Sequence, residues 1–306
     1  MPLRPTSLDL VTSTGFAGYE LIDSGHGRKL ERFGDILVDR PERQALWKPA
    51  LGEGKWAGAH AVFSATAEDD DKGRWRIDRP VPDGWPVAID AITVTCRLQG
   101  LWHLGLFPEQ YPHWQWMRHV LAAMSAQRAE PPRVLNLFAY TGAASLIAAA
   151  DGAEVTHVDA SKKAIQWARD NQHGSGLSSA PIRWMLEDAA KFTAREVRRG
   201  KTYDVILVDP PKFGRGPANE TWDLFDDVPS LIADCVRLLA PGPSALVLTV
   251  YAIRASALAF GQLLADGLAG RAGRLEVGEL AIAPRGGGNA VPTSLFVRWQ
   301  TAAGVP

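Results

Sequence analysis

The stretch that most constrains this chain is residues 131–159, PPRVLNLFAYTGAASLIAAADGAEVTHVD. It predicts strand, tight loop, helix and strand in immediate succession. Residues 133–137 form a short apolar run. Thr141 then offers a hydroxyl as a helix N-cap, and Gly142 lets the backbone come close to whatever sits there. Residues 143–150 are strongly helix-forming, and Asp151-Gly152 stops the helix. Residues 154–158 read as a second strand that ends in Asp159. A β-α-β unit with an acid at the tip of its second strand suits a nucleoside. The loop and helix N-terminus meet the polar part of the ligand, and the carboxylate accepts hydrogen bonds from ribose hydroxyls. An ordinary strand-to-helix turn of an α/β protein would look much the same over these residues alone.

The loop Asn136-Leu-Phe-Ala-Tyr-Thr-Gly142 holds a single glycine. The G-x-G-x-x-G run that packs against a pyrophosphate is absent, which argues against NAD or FAD and so against a dehydrogenase. S-adenosylmethionine carries no phosphate, so a loop that receives it need not be built for one.

A chain of 306 residues is long enough for one large or two medium domains. No apolar run is long enough to span a membrane, and the N-terminus MPLRPTSLDLVTSTGF lacks the basic region and apolar core of a signal peptide. Cys96 and Cys235 stand far apart and suggest neither a disulfide framework nor a zinc site. The expectation is a cytoplasmic protein with no metal and no membrane partner; a homo-oligomer is left open. A net charge of -1 gives no whole-chain basic footprint for nucleic acid, so any such contact needs a local patch.

Residues 1–14 read as loose. Residues 1–100 read as a small, mostly antiparallel β domain, with strands near 19–22, 35–38, 59–65, 74–78 and 91–98 punctuated by Gly, Pro and Asp. The acidic run 68–71 reads as a solvated hairpin tip, since it lacks the spaced ligands of a calcium loop. Residues 101–130 form a connecting loop and helix, the helix at about 113–127. Trp114 and Trp116 there are compatible with core packing, whereas Gln110, between two prolines, is harder to explain by packing. Residues 131–306 continue with a helix at 161–172 capped by Ser161, a strand at 182–186, a short basic helix at 192–199 and a strand at 203–208. A polar loop at 214–220, a helix at 229–240, a strand at 245–250 and a helix at 255–268 follow. Strands at 274–283 and 294–299 close the chain. The fold class is α/β: a Rossmann-like parallel sheet with an antiparallel C-terminal strand, plus the small N-terminal β domain.

In such a sheet ligands sit at the carboxyl ends of the strands. Asp159 is placed for the ribose and Asp188 for the exocyclic amine of adenine, because a carboxylate accepts where that amine donates. Asp209 lies at the centre. Each acid alone also reads as a helix N-cap or a solvated strand end; acids at three successive strand ends are less easily dismissed. Pro210-Pro211 fixes the backbone after Asp209 and removes two N–H donors, so a carbonyl there can face a substrate undistracted by local turn bonding. Phe213 can stack on a flat base, and Lys212 can meet a phosphate or carboxylate. A rigid loop that happens to hold an aromatic fits the same letters.

Together, N-L-F-x-Y-T-G, V-D-x-S, E-D-A and D-P-P-K-F resemble the class I S-adenosylmethionine-dependent methyltransferases, and among them the ribosomal-RNA large-subunit methyltransferases of the I and K type. Trp167-Ala-Arg-Asp-Asn171 fits the same pattern. Gly105-Leu-Phe-Pro-Glu-Gln110 is similar to that family's G-x-F-x-D-Q-R, with Glu109 for Asp and Tyr111 for Arg. The resemblance covers roughly residues 100 to 300 and implies S-adenosylmethionine as cofactor and RNA as substrate. It implies cofactor contacts at Gln110, Asn136, Phe138, Tyr140, Thr141, Gly142, Asp159, Ser161, Asp188, Ala189 and Asp209. It implies a reacting centre at Asp209, Pro210, Pro211 and Phe213, with Lys212 and Phe213 on the substrate. The 5-methylcytosine members of the family use a cysteine just after the fifth strand; here that strand ends Leu248-Thr-Val-Tyr251 with none. A nitrogen or oxygen acceptor needs no such thiolate. Two further functions fit: methyl transfer to a protein or small molecule, and RNA binding without catalysis.

Overall fold

The computed structural model describes residues 5, 7–65, 73–251 and 254–301; the hairpin tip expected at 68–71 lies outside them. Two compact units are present. One consists of Thr12–Pro112 with Ala281–Thr293, and the other of residues up to Val11, His113–Leu280 and residues from Ser294 onward. Among the described residues no helix is long and apolar enough to cross a membrane.

The first strand, β1 (Asp9–Ser13), corrects the expectation that the start of the chain is loose. It lies at the edge of the large sheet, beside the strand Gly273–Ile282. Only Ser13 of its residues is buried, so no apolar alternation marks it. Gly278 makes the approach feasible, since a Cβ there would lie 1.8 Å from the Asp9 carbonyl oxygen. The strands β2 (Tyr19–Gly25), β3 (Arg28–Phe33), β4 (Ile36–Pro41), β5 (Ala61–Ala65) and β6 (Gly73–Ile77) form a five-stranded sheet in chain order. A one-turn helix, α1 (Glu53–Trp56), precedes β5. All neighbours are antiparallel except β4 with β5. Strands β7 (Trp85–Ile89) and β8 (Ile92–Cys96) pair separately. Thus the N-terminal β text is mostly antiparallel, as expected, but β3 and β7 escape a pattern reading. In β3 the buried letters include a charge: Glu31 accepts from Tyr19 Oη at 2.8 Å and from Arg40 Nε at 2.7 Å. A carboxylate compensated in this way can occupy a core position that looks solvated in the sequence. In β7 Pro86 interrupts the strand text; it points outward on a two-stranded pair, where a missing N–H is tolerated.

The second unit begins with α2 (Tyr111–Ser125), after a 3₁₀ turn at Pro108–Gln110. The order is then β9 (Arg133–Leu137), α3 (Ala143–Ala150), β10 (Glu154–Asp159), α4 (Lys162–Gly174), β11 (Ile182–Leu186), α5 (Ala189–Arg198) and β12 (Val205–Val208). A short hairpin, β13 (Phe213–Arg215) and β14 (Thr221–Asp223), leads to α6 (Leu224–Leu238). The chain ends with β15 (Ala245–Tyr251), α7 (Ala257–Gly267), β16 (Gly273–Ile282) and β17 (Val291–Thr301). The eight-stranded sheet runs β1-β16-β17-β15-β12-β9-β10-β11. Its strands from β15 to β11 are parallel, and β17 is antiparallel to β15.

Register lines up the carboxyl ends that carry the site. Leu137 pairs with Val158 and Val208, Val208 with Leu248, and Leu248 with Val297. These residues face a core shared with Phe192 of α5, Leu231 and Cys235 of α6, and Phe260 and Leu264 of α7. On the opposite face Asn136 meets Ser145 of α3, and Phe296 meets His113 of α2. Burial on both faces explains the nearly continuous apolar text of the central strands.

Three local expectations change. The basic helix starts at Ala189, not near 192, because Asp188 caps it. The expected polar loop at 214–220 shortens to residues 216–220, the turn of the β13–β14 hairpin. Helix α6 begins at Leu224, behind an Asp223 cap whose carboxylate accepts from the Phe225 N–H at 2.9 Å, and it runs through Pro229. Pro229 is exposed and cannot donate to the Phe225 carbonyl one turn back. Pro229→Ala is therefore expected to stabilise the protein by about 1–2 kcal/mol, less than the full propensity gap because proline also restricts the unfolded chain. A urea midpoint that stays put or falls would show that the helix has adapted to the ring.

Candidate active site

After Leu137 the chain turns left-handed at Phe138 (φ 55°), at Tyr140 (φ 50°) and at Gly142 (φ 89°). Positive φ at two aromatic residues costs on the order of 1–3 kcal/mol each, and it persists only where the surroundings over-determine it. They do so here. Ala139 N–H donates to the Val158 carbonyl at 3.1 Å, and Gly142 N–H to the Ala139 carbonyl at 3.1 Å. Tyr140 N–H donates to Asp159 Oδ2 at 2.8 Å. The Phe138 ring lies 4.9 Å from Trp222 and the Tyr140 ring 6.1 Å from Trp167, centroid to centroid.

Thr141 is not the N-cap of α3. Gly142 holds that place, in a left-handed conformation without a side-chain cap. A Cβ on it would sit 3.0 Å from the Ala168 Cβ, so close packing of α4 as well as φ selects glycine. Thr141 is buried, and its carbonyl accepts from Asn171 Nδ2 at 3.0 Å. Asn136 is buried beneath the loop. Its amide donates to Ser145 Oγ at 2.9 Å, and that hydroxyl is 3.0 Å from His157 Nδ1. Burial holds the His157 pKa down at about 3, so the ring is a neutral partner in this brace. Asn136 therefore supports the loop and the first turn of α3 from within the core.

Asp159 is held by both oxygens: Oδ2 accepts from Tyr140 N–H and Oδ1 from Ser161 N–H, each at 2.8 Å. Each oxygen keeps a further lone pair for another donor. Burial raises its pKa, and the two amide bonds oppose that shift. Ser161 in turn caps α4 by accepting from Ala164 N–H at 3.2 Å. Asp188 is buried and caps α5, with Oδ1 accepting from Lys191 N–H at 2.9 Å, and Ala189 follows as the first residue of that helix. The N-cap reading is thus correct for Asp188, at the cost of one of its oxygens.

Asp209 follows β12, half-buried, and its N–H reaches the Leu137 carbonyl at 3.4 Å, which ties it to the end of β9. Along the sheet the acids stand in the order Asp188, Asp159, loop, Asp209. The expectation of an undistracted carbonyl fails at Pro211, whose oxygen accepts from Trp222 Nε1 at 2.7 Å. Pro210 is buried and Pro211 exposed. Phe213 points outward and is 62% exposed, with the Lys212 ammonium 5.1 Å from its ring centroid. A core role for Phe213 is thereby excluded. Gln110 belongs to the other unit, where it is buried at the end of the 3₁₀ turn. Ser145, His157 and Trp222 were not singled out in the sequence. His157 was visible as a polar letter inside an apolar strand, whereas Trp222 stood in text that reads as loop.

The sequence profile of the S-adenosylmethionine-dependent methyltransferase family matches residues 49–264. The ribosomal RNA large subunit methyltransferase I of Shewanella denitrificans is 35% identical over 280 residues, which cover 84% of this chain and 66% of that protein. The ribosomal RNA large subunit methyltransferase K/L of Hahella chejuensis is 39% identical over 140 residues, 45% of this chain and 18% of that protein. The chain spans less than a fifth of the length of the K/L relatives it matches. A crystal structure of a SAM-dependent methyltransferase from Agrobacterium tumefaciens is 47% identical, with a TM-score of 0.91 over 98% of this chain and 95% of that one.

Both cysteines are fully buried, Cys96 in β8 and Cys235 in α6. Burial pushes both thiols well above the ordinary thiol range. A protonated, enclosed sulfur is a poor nucleophile. Neither thiol is expected to react with Ellman's reagent in the folded protein, and both should react once it is denatured. Rapid labelling of one thiol in the native state would contradict this picture.

Proposed function

The chain belongs to the S-adenosylmethionine-dependent methyltransferases, and on that premise we propose that it methylates a base of ribosomal RNA, at a nitrogen or oxygen atom. The observation that carries the base-directed reading is Phe213: a 62% exposed aromatic four residues after Asp209, beside a lysine. Likeness to the ribosomal RNA large subunit methyltransferases I and K/L supports the substrate class.

S-adenosylmethionine, when bound, supplies a methyl group on a positively charged sulfur. The loop from Phe138 to Gly142, with Tyr140 and Thr141, and the Asp159-Ser161 corner suit its nucleoside end. Asp159 keeps lone pairs that Tyr140 and Ser161 do not use, and these accept from the ribose hydroxyls. Asp188 keeps one oxygen beyond its cap for the adenine amine, next to the Ala189 N–H. At the reacting end Asp209 orients the acceptor or takes its proton, and the Pro210-Pro211 segment holds the backbone rigid beside it. Phe213 stacks on the extruded base and Lys212 meets a phosphate. Buried, protonated thiols leave no covalent route through cysteine, which favours a nitrogen or oxygen acceptor.

Asp159→Ala should weaken S-adenosylmethionine binding by about 1–3 kcal/mol, the scale of hydrogen bonds to a charged group. Because burial raises the Asp159 pKa, the carboxylate takes up its proton at a higher pH than an ordinary aspartate. Wild-type affinity should therefore begin to fall, as pH is lowered, above the usual carboxylate range. Calorimetry across pH checks both points; an Asp159→Ala affinity equal to wild type sinks the ribose assignment.

Phe213→Ala should leave the melting temperature and cofactor affinity near wild type and slow single turnover on RNA by roughly tenfold or more, the worth of one stacked base. The acceptor class is tested by mass spectrometry of RNA nucleosides from cells with and without the protein. A missing modified nucleoside is expected; unchanged RNA, with methyl transfer to a protein or metabolite fraction instead, would replace the substrate assigned here.

A further inference from the structure

The hairpin that follows the Asp209 loop has two distinct faces. Phe213 pairs with Asp223 and Gly214 with Trp222, so side chains alternate along it. Phe213 is directed to solvent, while Trp222 is 5% exposed. Trp222 makes two contacts with different parts of the site. Its indole N–H donates to the Pro211 carbonyl at 2.7 Å, and its ring lies 4.9 Å from that of Phe138, tilted by 58°. Phe138 is one of the two left-handed aromatics of the loop after β9. Gly214, opposite Trp222, leaves room for Pro211: a Cβ on it would lie 3.3 Å from the Pro211 Cγ.

These contacts make one continuous path. It runs from the cofactor loop at Phe138, through the indole, to the Pro211 carbonyl, and from there through Lys212 to Phe213 at the start of β13. A buried indole N–H needs a partner, and the proline carbonyl supplies it. Any displacement of the loop after Asp209 would break that bond or drag the indole off Phe138. The Lys212 carbonyl is also tied, accepting from Leu224 N–H at 3.0 Å, and Glu220 in the hairpin turn accepts from Lys191 Nζ of α5 at 2.6 Å, so the indole holds the hairpin between an anchored base and an exposed ion pair at its tip.

We propose that Trp222 is a positioning residue that couples the cofactor loop to the substrate-stacking face of the hairpin. It touches neither reactant. It sets the distance and angle at which Phe213 presents the base relative to the loop carrying Phe138. The inference rests on the methyl-transfer reading for its kinetic consequences but not for its structural ones.

Trp222→Phe keeps an aromatic ring on the Phe138 side, removes the donor to Pro211 and shortens a buried side chain. It should be compared with Phe213→Ala and with the double variant. Three quantities are read: S-adenosylhomocysteine affinity by calorimetry, single-turnover rate and cofactor KM on RNA, and the rate of tryptic cleavage after Lys212 and Arg215 in the folded protein. Trp222→Phe should bind S-adenosylhomocysteine within about threefold of wild type and keep its cofactor KM, while turnover falls roughly tenfold. Cleavage at the two hairpin bonds should quicken by about fivefold or more, because the released hairpin opens locally. The double variant should be no more than about twofold slower than the worse single variant, since both changes act on one unit. A merely structural Trp222 would lower cofactor affinity and turnover together, and full multiplication of the two losses would show that it does not act through Phe213; either result overturns the proposal. If wild-type protein transfers no methyl group to RNA, the substrate reading fails by itself. The cleavage measurement then decides alone: unchanged cleavage in Trp222→Phe removes the role of the indole.

Discussion

The carboxylate of Asp159 is the interaction on which the site geometry depends. It accepts one backbone N–H from Tyr140 and one from Ser161, both at 2.8 Å. The first bond holds the loop after β9 in a left-handed turn that its own residues disfavour, and the second fixes the entry to α4. A charged acceptor shared by two amides is worth more than two neutral bonds, and it offsets the strain at Phe138 and Tyr140. It acts together with the Ala139–Val158 backbone bond and the packing of Phe138 on Trp222 and Tyr140 on Trp167. The same carboxylate is the group proposed for the ribose, so the device that shapes the loop also leaves the lone pairs that a ligand would meet.

The acids at the strand ends, though chemically alike, carry unequal structural loads. Asp188 spends an oxygen on capping α5. Asp159 spends both oxygens on backbone amides. Asp209 is attached through its backbone, by its N–H to the Leu137 carbonyl, which ties it to the end of β9. Groups that position a nucleoside gain from being rigid.

Where sequence periodicity and turn chemistry coincide, the fold was legible. Strands β9, β10 and β11 and helix α3 were located in place because apolar text, glycine stops and acid-tipped strands agree there. What escaped has identifiable causes. The β3 strand hides a buried Glu31 compensated by Arg40 and Tyr19. Helix α6 carries Pro229 in its interior, which reads as a start. The N-cap assigned to Thr141 failed because tight packing against Ala168 selects Gly142 for that place, a contact distant in sequence. The residues proposed for the site, Phe138 to Gly142, Asp159, Asp188 and Asp209, stand out in the sequence because they lie where a strand ends or a helix opens. Ser145, His157 and Trp222 do not, because their partners come from other elements and no spacing rule joins them.

The end of the fifth parallel strand holds no cysteine. Strand β15 ends Leu248-Thr249-Val250-Tyr251. Val250 packs in the core with α7, and Thr249 is buried opposite Phe296 of β17. Those positions serve packing, and the two thiols of the chain lie elsewhere, enclosed and protonated. In the proposed reaction the work of aligning an acceptor falls on the neighbouring strand, where Asp209, two prolines and the Trp222-anchored hairpin follow one another without a break. Two prolines remove backbone freedom, the indole removes the hairpin's freedom to swing, and Gly214 allows both to pack at once. Rigid presentation of the acceptor, with no covalent intermediate to hold it in place, is what an in-line displacement at nitrogen or oxygen requires.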